Sequence, residues 1–141
     1  MDLSNVKNLA GGGLLRSLGA ELVSTAEPDT CGAVMPVDSR NCQPFGFLSG
    51  GASLALAESL AGAGSMALCP GRMCVGISVS GNHVRAVRVG SSVSATARLR
   101  YRGGTIHVWQ VDISNSRGQL VSTVTVTNYV TGGKKQVNSD E

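Results

Sequence analysis

The chain has 141 residues, enough for one hydrophobic core and short for two domains. Hydrophobic residues make up 42%, which excludes a disordered chain, and the 19 glycines follow no period, which excludes a collagen-like chain or a solenoid. A net charge of +3 with only 4% aromatic residues offers no basic, aromatic-interleaved surface, so nucleic acid is not an expected partner.

Residues 1–18 form a soft start, in which a short helix is interrupted by Gly11-Gly12-Gly13. Two strands follow, over 20–26 and 31–37, separated by the turn residues Glu27-Pro28-Asp29-Thr30. Pro36 to Pro44 is a loop. The next segment is the one long helix, predicted over 50–67 and rich in alanine and leucine, with Ser49 placed as its N-cap. Its apolar residues lie on all sides, so the rest of the protein must enclose it. After Met73 the period is two. Met73 to Val79, Val93 to Arg102, Thr105 to Ile113 and Leu120 to Val130 read as strands, with turns at Gly103-Gly104 and Asn115-Ser116-Arg117-Gly118. The architecture expected is α+β, a curved antiparallel sheet around one central helix in a single domain over 1–141, with 1–18 and 132–141 less ordered. One chain has too little surface to cover such a helix, which predicts at least a dimer.

The segment from Phe45 to Pro70 is apolar, but Glu58 stands near its middle, so a buried helix is expected and not a membrane span. Four cysteines, Cys31, Cys42, Cys69 and Cys74, show no paired metal-ligand spacing beside only two histidines, so no metal is expected. The start has no basic segment followed by an apolar one, and the thiols read as reduced, which predicts a cytoplasmic protein.

Glu58 is the only charged residue between Phe45 and Pro70, and carboxylates are seldom enclosed without a partner or a task. A polar helix edge, with Glu58, Ser59 and Ser65 facing water, would also account for it. Ser49-Gly50-Gly51 leaves bare N–H groups at the helix start, where the dipole is positive and an oxyanion can be held. Glu58 lies two turns on, toward the same side. A carbonyl at the helix start with a carboxylate near it is a layout for acyl transfer to water.

Met35-Pro36-Val37-Asp38-Ser39-Arg40-Asn41-Cys42-Gln43-Pro44-Phe45-Gly46, Leu48-Ser49-Gly50-Gly51-Ala52-Ser53 and Leu56-Ala57-Glu58-Ser59 resemble the hotdog-fold thioesterases. The branch is that of 1,4-dihydroxy-2-naphthoyl-CoA and 4-hydroxybenzoyl-CoA thioesterases, related to the phenylacetate-degradation type. Val75-Gly76-Ile77, Asn82-His83-Val84-Arg85 and His107-Val108-Trp109-Gln110-Val111 agree with it. The resemblance implies hydrolysis of an acyl-CoA, by its branch an aryl-CoA, without a cofactor. It makes Glu58 the nucleophile or general base, Gly50 the oxyanion donor, Gln43 a residue that positions water or thioester, and Ser49 a weaker polar helper. Gly51, Ser59, His83, Gly104 and Thr105 are expected near the substrate, and the charges of Arg85 and Arg88 suit CoA phosphates as well as they suit a solvated surface, although histidines placed like His83 and His107 more often serve structural roles. The resemblance further implies that Gln43 and Gly50 face Glu58 of another subunit, in a homotetramer built as a dimer of dimers.

The departures from the family are Ser49, where a histidine is usual, and Gly62, where a hydroxyl is common one turn after the carboxylate. Ser59 or Ser65 would have to replace the latter. Loss of the histidine leaves a non-catalytic acyl-CoA-binding module as the alternative, and a hydroxyacyl dehydratase as a third reading that Ser49 disfavours. Arg98, Arg100 and Arg102 read as a solvated face of one strand, with CoA phosphates as a second use.

Overall fold

The computed structural model describes residues 1–10 and 12–132; the expected loose tail over 132–141 lies outside the described residues but for Gly132. Two short helices, α1 (Lys7–Ala10) and α2 (Gly13–Ser17), precede β1 (Glu21–Val23) and β2 (Thr30–Pro36). The long helix α3 spans Gly50–Leu68, and β3 (Cys74–His83), β4 (Ser92–Arg102), β5 (Ile106–Asn115) and β6 (Leu120–Val130) follow. The opening residues, read above as a soft start, contribute Leu3, Leu15 and Leu18 to the core.

All six strands form one antiparallel sheet in the order β1-β2-β4-β5-β6-β3. β4, β5 and β6 are joined by the two predicted turns, but β3 pairs with β6 and not with its neighbour in sequence. The chain crosses from one edge to the interior through 84–91, and that connection ties back to the loop before α3. Leu48 N–H donates to the Val87 carbonyl at 2.8 Å, and Val37 N–H to that of Ser91 at 2.8 Å. The same loop is pinned by Asn41, whose amide donates to the carbonyls of Leu18 (2.9 Å) and Pro36 (2.8 Å).

The inner face of the sheet packs on α3 through Trp109, Val111, Ile113, Val124 and Val126, against Leu56, Leu60 and Ala61 of the helix, all of them buried. Alternation in β4, β5 and β6 sorts core from solvent as a period of two requires. Two departures correct the sequence reading. First, a bulge between Leu99 and Tyr101 turns Tyr101 outward and sets Arg102 opposite the buried His107. The arginine triplet is therefore split: Arg98 faces Glu27 and Asp29 at 3.4 and 3.8 Å, while Arg102 donates to the Leu68 carbonyl at 3.2 Å, where the negative end of α3 favours a cation. Second, Met73, just before β3, and Val75 and Ile77 within it are exposed, and Gly76 and Gly81 stand where the strand meets the helix.

The described residues of one chain do not enclose α3. Ala52, Leu56, Ala57, Leu60, Ala61 and Gly64 are buried, but Leu54, Ala55, Glu58, Ser59 and Gly62 are only half-buried. No helix among the described residues is long and apolar enough to cross a membrane.

Candidate active site

Gly50, Leu54 and Glu58 recur at intervals of four residues, so they stack on one side of α3. That side lies on the inner face of β3. A β-carbon at Gly50 would sit 2.9 Å from the His83 ring, one at Gly81 would sit 3.2 Å from Leu54, and one at Gly76 would collide with the Glu58 carboxylate. The helix can approach this strand only because the facing positions lack side chains. Glycine inside a strand pattern was the signal available for this, and sequence reasoning passed over it.

Glu58 is half-buried and accepts no hydrogen bond among the described residues. It is the only charge on α3. Ser59, beside it, is half-buried as well. Ser65 is neither at a polar edge nor able to stand in for the missing hydroxyl. It is fully buried on the sheet side, where its Oγ accepts from Trp109 Nε1 (2.9 Å) and Asn128 Nδ2 (3.1 Å) and lies 2.8 Å from His107 Nδ1. With both lone pairs taken, its proton goes to Nδ1, so His107 carries its own proton on Nε2, facing Cys69 Sγ at 3.8 Å. Burial, then Arg102 and Arg72, hold the pKa of His107 below the ordinary histidine value. His107 is thus structural, as one of the two expectations had it.

The helix start is built as its sequence requires. Ser49 is the N-cap: its Oγ accepts from Ala52 N–H at 3.4 Å, and its own N–H donates to the Asn41 carbonyl at 2.9 Å. The N–H groups of Gly50 and Gly51 have no acceptor among the described residues and point out at the positive end of a 19-residue helix. Nearby, Gln43 Oε1 accepts from the N–H groups of Phe45 (2.5 Å) and Phe47 (3.3 Å). That fixes the amide and leaves its NH2 group free to donate.

Gly50 and Glu58 are eight residues apart, so about 12 Å of helix separates them. One thioester carbon cannot touch both in the same chain. The single-helix layout inferred from spacing is corrected by this length, whereas a site shared between subunits is compatible with it.

The remaining predicted residues fall into two places. His83 ends β3 beside the helix start, with Nδ1 2.7 Å from Ser122 Oγ, and Arg85 and Arg88 follow it around a cleft of about 400 Å³. Ser91, Ser116 and Arg117 also line that cleft, and Arg117, on the β5–β6 turn, escaped the sequence reading because its neighbours in space, Arg85 and Arg88, are about 30 residues away along the chain. Among the described residues none of the three arginines has a carboxylate partner; Arg88 instead lies 5.0 Å over the Phe47 ring. Unpaired guanidinium groups around a concave surface suit an anionic, phosphate-like group. Gly104 and Thr105 lie elsewhere, on the β4–β5 turn near the C-terminal end of α3, where the Gly104 carbonyl accepts from Arg72 at 2.9 Å. No group of His, Cys, Asp and Glu among the described residues could hold a metal ion.

Known proteins share this plan. The sequence profile of the thioesterase superfamily matches residues 45–122, the span from the loop before α3 to Ser122. The 1,4-dihydroxy-2-naphthoyl-CoA hydrolase of Escherichia coli is 39% identical over 103 residues, 72% of this chain and 75% of that protein. The proofreading thioesterase EntH of Cronobacter turicensis is 35% identical over 133 residues, 94% of this chain and 96% of its own. A thioesterase crystal structure from Haemophilus influenzae superposes with a TM-score of 0.83 at 39% identity, covering 94% of this chain and 92% of that one.

Proposed function

The chain belongs to the thioesterase superfamily, with a hotdog fold, and is a thioester hydrolase; from that premise we propose that it cleaves an acyl-CoA, by preference an aryl-CoA, with Glu58 as nucleophile or general base. The observation that carries the reading is Glu58 itself. It is a half-buried carboxylate with no partner among the described residues, laid against Gly76 on the same helical stripe as the Gly50 N–H.

The two halves of the site meet across a dimer. The half-open face of α3 and the outer edge of β3, which pairs with no further strand among the described residues and leaves Val75 and Ile77 exposed, offer the surface for it. Glu58 of one subunit then faces Gly50, Gln43 and Ser49 of the other. Either Glu58 adds to the thioester carbon and water opens the resulting anhydride, or Glu58 takes a proton from water as the water adds. In both routes the carbonyl electron pair moves onto oxygen and is held by the Gly50 N–H, with Gly51 beside it. Collapse breaks the C–S bond, CoA leaves as thiolate and is protonated, and the acid is released. The Gln43 amide donates to the water or the carbonyl, and Ser49 keeps the helix start open. Arg85 and Arg88 suit the CoA phosphates, with Arg117 as a third cation; Ser59 stands beside Glu58 and His83 beside Gly50, while Gly104 and Thr105 lie apart from both, near the C-terminal end of α3. We further propose a tetramer of two such dimers, in the cytoplasm, where the four free thiols are stable.

The aryl preference rests on the name of the Escherichia coli relative and on the branch of the resemblance. The test is release of CoA, followed by chromatography, from a panel of aryl- and alkyl-CoAs. Wild type turns over and favours the aryl esters, and Glu58→Gln loses about 100-fold or more of kcat, as expected for a general base or nucleophile. Binding of a CoA ester without turnover makes the protein a binding module and ends this reading.

A further inference from the structure

Ser122 takes no part in the reaction described above, yet it is fully buried and, among the described residues, has one hydrogen-bond partner, His83 Nδ1 at 2.7 Å. A buried hydroxyl has one proton to place and loses free energy if it places none. With a ring nitrogen as the sole acceptor, the Ser122 O–H donates to Nδ1. That leaves His83 with its proton on Nε2, because the hydrogen bond at one ring nitrogen sets the state of the other. Nε2 lies at the start of α3, 2.9 Å from where a β-carbon of Gly50 would stand. His83 itself is exposed, so this N–H opens toward a ligand and not into the core.

We propose that Ser122 is a positioning residue that holds His83 as an Nε2–H donor. The imidazole then joins the Gly50 and Gly51 N–H groups as a third donor to the thioester oxygen as it becomes negative. The proposal rests on the thioesterase reading of the Gly50 site. Three donors and the positive helix end gather there with no acceptor among the described residues, an arrangement that an oxyanion relieves. An imidazole is thereby present at the helix start although position 49 is serine. Register secures the pairing, because His83 stands directly opposite Ser122 in the β3–β6 ladder. No bond to His83 is made or broken in the step; it donates one hydrogen bond, stronger in the transition state than in the ground state.

The experiment combines ring-nitrogen NMR with kinetics on the full chain. In 15N-labelled wild type, the His83 ring shows Nε2–H and an accepting Nδ1; Ser122→Thr keeps that signature and the rate. Ser122→Ala mixes the tautomers and lowers kcat roughly 10-fold with KM little changed, the size of one oriented hydrogen bond. His83→Ala lowers kcat by about 10²–10³-fold, as loss of one oxyanion donor does. An Nδ1–H signal in wild type overturns the proposal even if Ser122→Ala fails to fold, and so does wild-type kcat in a folded Ser122→Ala protein that still depends on Glu58. Absence of turnover in wild type, by contrast, removes the thioesterase reading itself.

Discussion

The protein contains two histidine–serine pairs of nearly the same geometry and opposite fates. His107 and Ser65 meet at 2.8 Å, His83 and Ser122 at 2.7 Å, each through Nδ1. In both, the hydroxyl places the histidine proton on Nε2. His107 is 1% exposed, its Nε2 faces Cys69, and Ser65 also accepts from Trp109 and Asn128. His83 is exposed, and its Nε2 faces the open start of α3. The pairing motif therefore carries no function by itself. What surrounds the second nitrogen decides whether a fixed tautomer is a structural strut or a donor to a ligand.

Ser65→Ala breaks the sealed pair and should show the largest effect. It removes the acceptor of two buried N–H groups and the donor to a third group in a cluster where Asn128 Oδ1 already lacks a partner among the described residues. The expected destabilisation is on the order of 3 kcal/mol, or about 10 °C in Tm, with kcat below the transition unchanged. Ser122→Ala should do the reverse, and calorimetry beside kinetics on both variants checks the contrast.

Acid sharpens the comparison more gently. The folded state holds the pKa of His107 below that of the unfolded chain, so the unfolded state binds more protons over that interval and stability falls with falling pH there. Stability is complete above the ordinary histidine value of about 6.5 and declines below it until the folded-state pKa is passed. Urea midpoints between pH 8 and 5 should drop for wild type and stay flatter for His107→Gln measured against its own pH 8 value.

The smallest change concerns Gly62, one turn after Glu58, where an added β-carbon would meet no atom within 4 Å. Gly64 has no such room, since the Trp109 ring lies 2.6 Å from its β-carbon position. Gly62→Ser should raise stability by about 0.5 kcal/mol through helix propensity alone and place a hydroxyl within reach of Glu58. Differential scanning calorimetry and kcat on the same preparation would register both.

Much of this was legible without coordinates. The helix from Gly50, its Ser49 cap, the lone Glu58, the bare N–H groups and the strands with their two turns follow from local rules of propensity, capping and period, which act within a few residues. Those rules leave the long-range pairings open. That β3 crosses to pair with β6, that Gly76 and Gly81 receive the helix, that Ser65 turns inward while Ser59 stays at the edge, and that the bulge at Leu99 frees Arg102 for the end of α3 were decided by packing. Ser122 and Arg117 belong to the same class. Their partners are 39 and about 30 residues away along the chain, and only closure of the sheet sets a hydroxyl on β6 against an imidazole on β3. Sequence alone determined which chemistry the chain carries, because residue types and local helix geometry are local facts. Tertiary structure decided which of those groups stand together and which remain open to a substrate, because burial and register are properties of the whole sheet.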